Sequence, residues 1–210
     1  MKIKQEFYWR CLFFITGIIV LSLGVTLTIK GQTLGVGSWD VLHIGLANNA
    51  GLTIGGWSIL LGVLILVIDA LFTKRLPRAG TYIDMFLTGI FIDIFNFLLP
   101  NANGLVEQSI AFMLGLLLLG FGCGMYIVAN LGVGPRDTLM LLIVKKLNWS
   151  VKRARTTIEI SVAVLGFLLG GPIGIGTVIM AFALGPIIQW ALSFNEKLFY
   201  RASGVESAIN

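Results

Sequence analysis

A seven-residue motif occurs twice in this chain, as LGVGSWD at 34–40 and as LGVGPRD at 131–137. Over the nine positions that start at these two leucines, six residues are identical, at an offset of 97. A second block beginning GT recurs at an offset of 96, from residue 80 to residue 176. Blocks that recur at nearly one spacing indicate that the chain consists of two related halves.

The composition places both halves in a membrane. Hydrophobic residues make up 57% of the chain and charged residues 12%, with a mean hydropathy of +0.93. Soluble domains carry roughly 25% charged residues, and a bilayer-spanning helix needs about 20 apolar residues. The 210 residues therefore supply six spans and leave no room for a soluble catalytic domain. The predicted spans are 11–29, 54–72, 81–99, 108–129, 156–170 and 177–194.

Two further apolar segments, 38–50 and 135–147, are too short to cross. Each has 13 residues and follows a Gly-x-Gly sequence. A helix of that length reaches about 20 Å, whereas the hydrocarbon core is about 30 Å thick. We therefore predict an all-α membrane protein with six transmembrane helices and two short re-entrant or interfacial helices, with one repeat in 1–100 and the other in 101–210.

The positive charges predict the topology. With a cytoplasmic N-terminus and non-spanning short helices, 14 of the 15 Lys and Arg residues fall on the cytoplasmic side, and only Lys30 falls outside. This distribution follows the positive-inside rule and puts both termini in the cytoplasm. Because each half has three spans, the second half enters the membrane upside down. Inverted repeats of this kind recur in transporters, with the pathway at the repeat interface.

The doubled motif supplies the first candidate site. Glycines before each short helix allow sharp turns and close backbone approach, and broken helices are tolerated at membrane depth only where protein or water covers them. Asp40 and Asp137 lie in the first turns, where a carboxylate either caps the helix or contributes to a gated polar site. The candidate broken-helix glycines are Gly35, Gly37, Gly132 and Gly134.

Other polar residues inside apolar segments are also candidates. Asp93 lies within the third span, and its repeat partner is Gln189. A carboxylate at a span centre costs at least about 2.5–3.5 kcal/mol, which favours a role in binding a proton or a coupling ion; the alternative is an interfacial position or a bond to Asn96. His43, three residues after Asp40, could relay protons, although a structural histidine satisfied by a neighbour is the simpler interpretation.

The remaining charges and the cysteines predict little chemistry. Asp84 flanks a cytoplasmic basic loop and Glu159 follows Arg155 by four residues, so ion pairing explains both. Cys11 and Cys123 fall in apolar runs and form no metal-binding pattern. The single histidine and the absence of GxSxG and HExxH argue against an enzyme. We predict no metal and no cofactor. We also predict no nucleic-acid partner, because the positive charges lie between spans.

A family resemblance rests on several of these segments together. The doubled LGVGxxD motif, the basic loop KRLPR at 74–78 followed by Gly80-Thr81, and GGPIGIGT at 170–177 resemble the bacterial YczE/YitT group of integral membrane proteins. The resemblance covers roughly residues 10–195 and implies a multi-pass plasma-membrane protein. It brings no established substrate or catalytic residue.

These observations favour a small-solute or ion-coupled transporter, in which Asp93→Asn would preserve insertion but abolish coupled activity. The alternatives are a passive channel and a non-transporting scaffold or regulator of a partner system. The expected partners are the lipid bilayer and a small solute or ion. Three spans per half are few for a closed pathway, which makes a homodimer a further expectation.

Overall fold

The computed structural model describes residues 2–203, with side-chain surroundings from residue 5 onward, and this part of the chain is helical. The eight α-helices within it are α1 (Lys2–Lys30), α2 (Ser38–Ala50), α3 (Ile54–Thr73), α4 (Ala79–Leu98), α5 (Leu105–Ala129), α6 (Pro135–Leu147), α7 (Val151–Leu168) and α8 (Ile175–Ser203). A short 3₁₀ turn, Gln32–Leu34, joins α1 to the first Gly-x-Gly sequence. The predicted all-helical fold is confirmed.

The two short helices have the bounds that the sequence predicts. Each begins after a glycine in extended conformation, Gly37 with ψ 150° and Gly134 with ψ 161°. Pro135 starts α6, where its fixed φ suits the first helical residue and its missing N–H is not needed. Gly51 and Asn148 end the helices with positive φ angles of 71° and 52°, which L side chains other than Asn rarely adopt.

Five helices of the described region, α1, α3, α4, α5 and α8, are long and apolar enough to cross a membrane. Helix α7 is 18 residues long, and its first half carries Lys152, Arg153, Arg155 and Glu159, so it does not meet the same criterion. Large apolar side chains on the outer surface, such as Phe97 at 90% and Phe182 at 78% exposure, are what lipid-facing positions require. The chain is thus a membrane protein with several spans.

The centre of the fold is the contact between α1 and α5, the most extensive helix pair in the described region. Glycines allow these helices to approach closely, because a Cβ at Gly17 or Gly115 would lie 2.6–2.7 Å from backbone nitrogen of the other helix. Helix α4 packs on α1, and α8 packs on α5. Each short helix packs on a helix of the other half, α2 on α7 and α6 on α3.

Candidate functional site

A cavity of about 170 Å³ lies where the two short helices begin. The first turns of α2 and α6 line it, and residues of α1, α3, α4, α5, α7 and α8 complete its walls. A cavity of 150 Å³ is large enough for a benzene molecule, so this one has room for a small solute. Its titratable lining groups, leaving aside one cysteine and one tyrosine, are Asp40, His43, Asp84, Arg136, Asp137, Arg155 and Glu159.

Asp40 is the deepest carboxylate of this cavity, with 2% of its surface exposed. Its Oδ1 lies 3.5 Å from Nδ1 of His43 and 3.5 Å from Nη2 of Arg136. Neither approach makes a hydrogen bond, and Asp40 Oδ1 and His43 Nδ1 both lack a hydrogen-bond partner among the described residues. Leaving a buried polar atom without a partner costs about 1–3 kcal/mol. Such atoms are uncommon in folded proteins and require a physical explanation.

Arg136 connects the starts of the two short helices. It is the second residue of α6, and its guanidinium lies 5.3 Å from the ring centroid of Trp39, the second residue of α2. The same guanidinium approaches Asp40, yet 39% of the Arg136 side chain remains exposed. A stacked guanidinium beside a carboxylate gains both cation–π and ionic attraction.

The charge states of Asp40 and His43 follow from this arrangement. Burial raises the pKa of Asp40, but the neighbouring His43 and Arg136 side chains lower it by more, so that pKa lies below its usual value. Burial lowers the pKa of His43, and the Arg136 charge lowers it further, against an opposing effect of Asp40. Near pH 7 the pair therefore consists of an ionised carboxylate and a neutral imidazole.

Two further carboxylates face the cavity with partial hydrogen bonding. The Tyr126 hydroxyl donates to Asp137 Oδ2 at 3.2 Å, and the Thr88 hydroxyl donates to Asp84 Oδ1 at 3.3 Å. Asp84 is 7% exposed, and its Oδ2 lies 2.9 Å from where a Cβ at Gly134 would stand. The N-cap residues of α2 and α6 are glycines, which have no side chain to cap a helix, and neither Asp40 nor Asp137 accepts a hydrogen bond from the backbone at the start of its own helix. The carboxylates of the doubled motif thus point to the cavity.

The structure does not bring two of the predicted transport-site residues, Asp93 and Gln189, to the cavity. Asp93 accepts hydrogen bonds from the Thr53 hydroxyl and, at 2.9 Å, from the backbone N–H of Gly55, both at the start of α3. These are the contacts of a side chain that caps a neighbouring helix. Gln189 is exposed on α8.

The four predicted broken-helix glycines divide into two kinds. Gly37 and Gly134 line the cavity. Gly35 and Gly132 do not; each allows close approach to the other half. A Cβ at Gly35, where φ is +100°, would lie 2.5 Å from the backbone nitrogen of Gly174, and a Cβ at Gly132 would lie 2.6 Å from that of Thr81.

The sequence reasoning missed several polar cavity residues, among them Asp84, Glu159, Arg136 and Tyr126. Asp84 and Glu159 were interpreted as members of ion pairs, yet both line the cavity, and Glu159 makes no ion pair with Arg155 in the described region. Arg136 and Tyr126 were not singled out. For Arg136 a pattern was available, because it stands immediately before the second motif aspartate. For Tyr126 no sequence pattern indicated the contact with Asp137.

The described charged side chains of the cavity do not converge as a metal-ligand set. Within the described residues, no group of three or more His, Cys, Asp or Glu side chains is arranged to coordinate a metal. Several long apolar helices surround a small chamber with carboxylates, guanidiniums and one imidazole on its walls. The fold and this chamber define a multi-pass helical membrane protein with a charged internal cavity.

The chain belongs to a family of unknown function, DUF6198, which matches residues 8–193. It is 43% identical over 195 residues to the uncharacterized membrane protein YczE of Bacillus subtilis, covering 93% of this chain and 91% of that protein. It is 34% identical over 186 residues to the uncharacterized protein YyaS of the same organism, covering 87% and 92%. An uncharacterized protein of Haemophilus influenzae is 35% identical over 184 residues, covering 87% and 78%. No solved structure matches significantly. The family resemblance inferred from the doubled motif is confirmed.

Proposed function

We propose that this protein is a small-solute or ion-coupled transporter of the plasma membrane, whose two inverted three-span halves alternate around the cavity. The observation that carries the proposal is that equivalent positions of both halves line one chamber. At the offset of 97 residues, the lining pairs are Gly37–Gly134, Ser38–Pro135, Trp39–Arg136, Asp40–Asp137, His43–Met140, Ser58–Arg155, Leu61–Ile158 and Gly62–Glu159. A site on the axis between inverted repeats is the arrangement that alternating access needs.

The contact between α1 and α5 supports the inverted relation of the halves. Gly17 packs against the carbonyl oxygen of Gly122, and Gly24 packs against the carbonyl oxygen of Gly115. At the offset of 98 residues, Gly17 is equivalent to Gly115 and Gly24 to Gly122. Each contact is therefore the other one with the two halves exchanged, which is the pattern that a two-fold axis produces between antiparallel helices.

The loops before the short helices support the same relation. The backbone of Leu34 meets Gly176 at the start of α8, and the backbone of Leu131 meets Gly80 at the start of α4. These two contacts are also exchanged by the repeat offsets. Each half thus anchors the broken-helix loop of the other, so a relative movement of the halves would be transmitted directly to the cavity.

The proposed topology counts α7 as a span, the fifth of six in chain order, and places both termini in the cytoplasm. The charges of α7 lie in its first three turns, next to Lys145 and Lys146 at the end of α6. A basic cluster at one end of a span is typical of the cytoplasmic interface. Three spans in the first half then place the start of α2 toward the outside and the start of α6 toward the inside.

Cysteine accessibility tests the proposal directly. In a background with Cys11→Ala and Cys123→Ala, single cysteines replace Ser38 and Pro135, and a charged membrane-impermeant thiol reagent is applied to right-side-out and inside-out vesicles. Gly185→Cys is the matched control, because Gly185 is exposed on α8 near the middle of the predicted span 177–194 and does not line the cavity. We expect both cavity positions to be labelled from both sides, and the control from neither.

The other outcomes separate the alternatives. Labelling of Ser38→Cys from the outside only and of Pro135→Cys from the inside only would contradict transport and favour a sealed scaffold or regulator. Passage of the charged reagent itself into the vesicle lumen would indicate a passive channel. Labelling of both positions from the same single side would contradict the inverted repeat.

A further inference from the structure

We propose that the cavity binds a small organic cation, an ammonium group on an apolar body of about the size of a benzene ring, and that this cation takes the place of Arg136 beside Asp40. The inference rests on the proposed transport function and gives it a substrate class. It follows from the charge of the lining, from the depth at which each charge lies, and from the Asp40 and His43 atoms that make no hydrogen bond.

The charged lining favours a cation. Four carboxylates face the cavity against two guanidiniums, so with His43 neutral the lining has a formal charge of −2. Depth sharpens this imbalance, because Asp40 and Asp84 are 2% and 7% exposed whereas Arg155 is exposed and Arg136 is partly exposed. The most deeply buried charged groups of the lining are therefore negative. Uncompensated negative charge in a low-dielectric chamber attracts a positive ligand.

The atoms of Asp40 and His43 that make no hydrogen bond indicate where the cation would bind. Asp40 Oδ1 accepts no hydrogen bond, and His43 Nδ1 neither accepts nor donates one. Both side chains are at least 97% buried. An ammonium group carries three N–H donors and no acceptor, so it satisfies a carboxylate without introducing a new unpaired group. A divalent metal ion is disfavoured, since no ligand set converges in the described region.

The remaining walls favour an apolar body on this ligand. Eleven of the 28 lining residues are leucine, isoleucine, valine or methionine, and they come from seven helices. Binding pockets of this kind use a few polar groups to orient a ligand and apolar walls to hold it. Trp39 offers an aromatic face, which Arg136 covers in this conformation. A ligand cation that displaced Arg136 would gain both the carboxylate and this face.

Displacement of Arg136 would also link binding to movement. Arg136 begins the second half's short helix, and its partners Trp39 and Asp40 begin that of the first half. A cation at Asp40 removes one attraction that holds the two helix starts together. The halves could then separate on this side only when the ligand has entered, which is the coupling that a transporter requires.

Calorimetric titration of the full chain in lipid nanodiscs tests the inference. The probe is benzylammonium, with benzoate and benzyl alcohol as matched anionic and neutral probes, in phosphate buffer because Tris is itself a small ammonium ion. We expect benzylammonium to bind at least tenfold more tightly than benzoate. Asp40→Asn should weaken benzylammonium binding at least tenfold, and Asp93→Asn, the same change outside the cavity, should leave it unaltered.

Several results would overturn the inference. These are benzoate binding as tightly as benzylammonium, unaltered binding in Asp40→Asn, and no saturable binding of benzylammonium at all. If Asp40→Asn fails to fold, Asp137→Asn replaces it, because Asp137 lines the cavity but is less buried. The accessibility of Ser38 distinguishes the two proposals. An open pathway without cation binding contradicts the substrate class alone, and a sealed pathway with cation binding contradicts transport alone.

Discussion

The glycine contact between α1 and α5 gives the sharpest prediction about the frame of the molecule. A Cβ at Gly115 would lie 2.7 Å from the carbonyl oxygen of Gly24 and from the nitrogen of Thr28. Ordinary contacts of a Cβ are near 3.5–4 Å, so the valine of Gly115→Val would force the helices apart by about 1 Å. Overpacking of this kind costs about 1–3 kcal/mol or more, against a gain in helix propensity of a few tenths.

We therefore expect Gly115→Val to lower stability by about 2–3 kcal/mol, equivalent to roughly 4–12 °C in melting temperature for a chain of this size. The assay is thermal unfolding of the purified protein in detergent, followed by helical circular dichroism. Ala181→Val is the control, because it adds methyl groups at an exposed position of α8 and should change stability by less than about 0.5 kcal/mol.

The equivalent glycine provides an internal check of the repeat. A Cβ at Gly17 would lie 2.6 Å from the backbone nitrogen of Tyr126, as one at Gly115 lies near that of Thr28. Gly17→Val should therefore cost as much as Gly115→Val. A melting temperature of Gly115→Val equal to that of Ala181→Val would refute the packing argument, and a difference above about 1 kcal/mol between the two glycine variants would refute their equivalence.

Two further predictions concern charged residues. Arg136→Gln should raise benzylammonium affinity by about tenfold, because the variant lacks the guanidinium that competes for Asp40; weaker binding, measured by the same titration, would show that Arg136 helps to hold the ligand. Asp93→Asn should lower the melting temperature through an energetic cost of about 1–2 kcal/mol, because its contacts at Thr53 and Gly55 are those of a helix cap. Loss of benzylammonium binding in Asp93→Asn would instead restore Asp93 to the transport site.

The helices and their boundaries could be predicted because they depend on local sequence rules, namely hydropathy, length and helix-start residues. Length and hydropathy gave the long helices, and Gly-x-Gly followed by Ser38 or Pro135 gave the starts of the short ones. The fifth predicted span, 156–170, was the weakest element, because the charges of α7 leave it below the hydropathy of the other long helices. These features need no knowledge of which helices touch.

The site was only partly predictable, because it depends on which helices meet. Asp40, His43 and Asp137 were found from the motif, since both copies of the motif begin a helix at the same place. Asp84 was missed because its place beside the basic loop at 74–78 predicted an interfacial ion pair. Asp93 drew attention through the cost of a carboxylate in a span, a cost that two hydrogen-bond donors at the start of α3 offset in the structure.

The two halves place different residues at equivalent positions of the cavity, and this difference affects the proposed transport cycle. Positions 39 and 136 are equivalent in the two halves, so exchanging the halves leaves the contact between Trp39 and Arg136 in place. That contact is therefore available in both end states. The same exchange turns the approach of Arg136 to Asp40 into an approach of Trp39 to Asp137, which has no ionic attraction. The empty protein should therefore favour the conformation described here, and a bound cation, by replacing Arg136 at Asp40, would remove that preference. A ligand shifts such an equilibrium only by its differential affinity for the two states, and the competition for Asp40 supplies that difference.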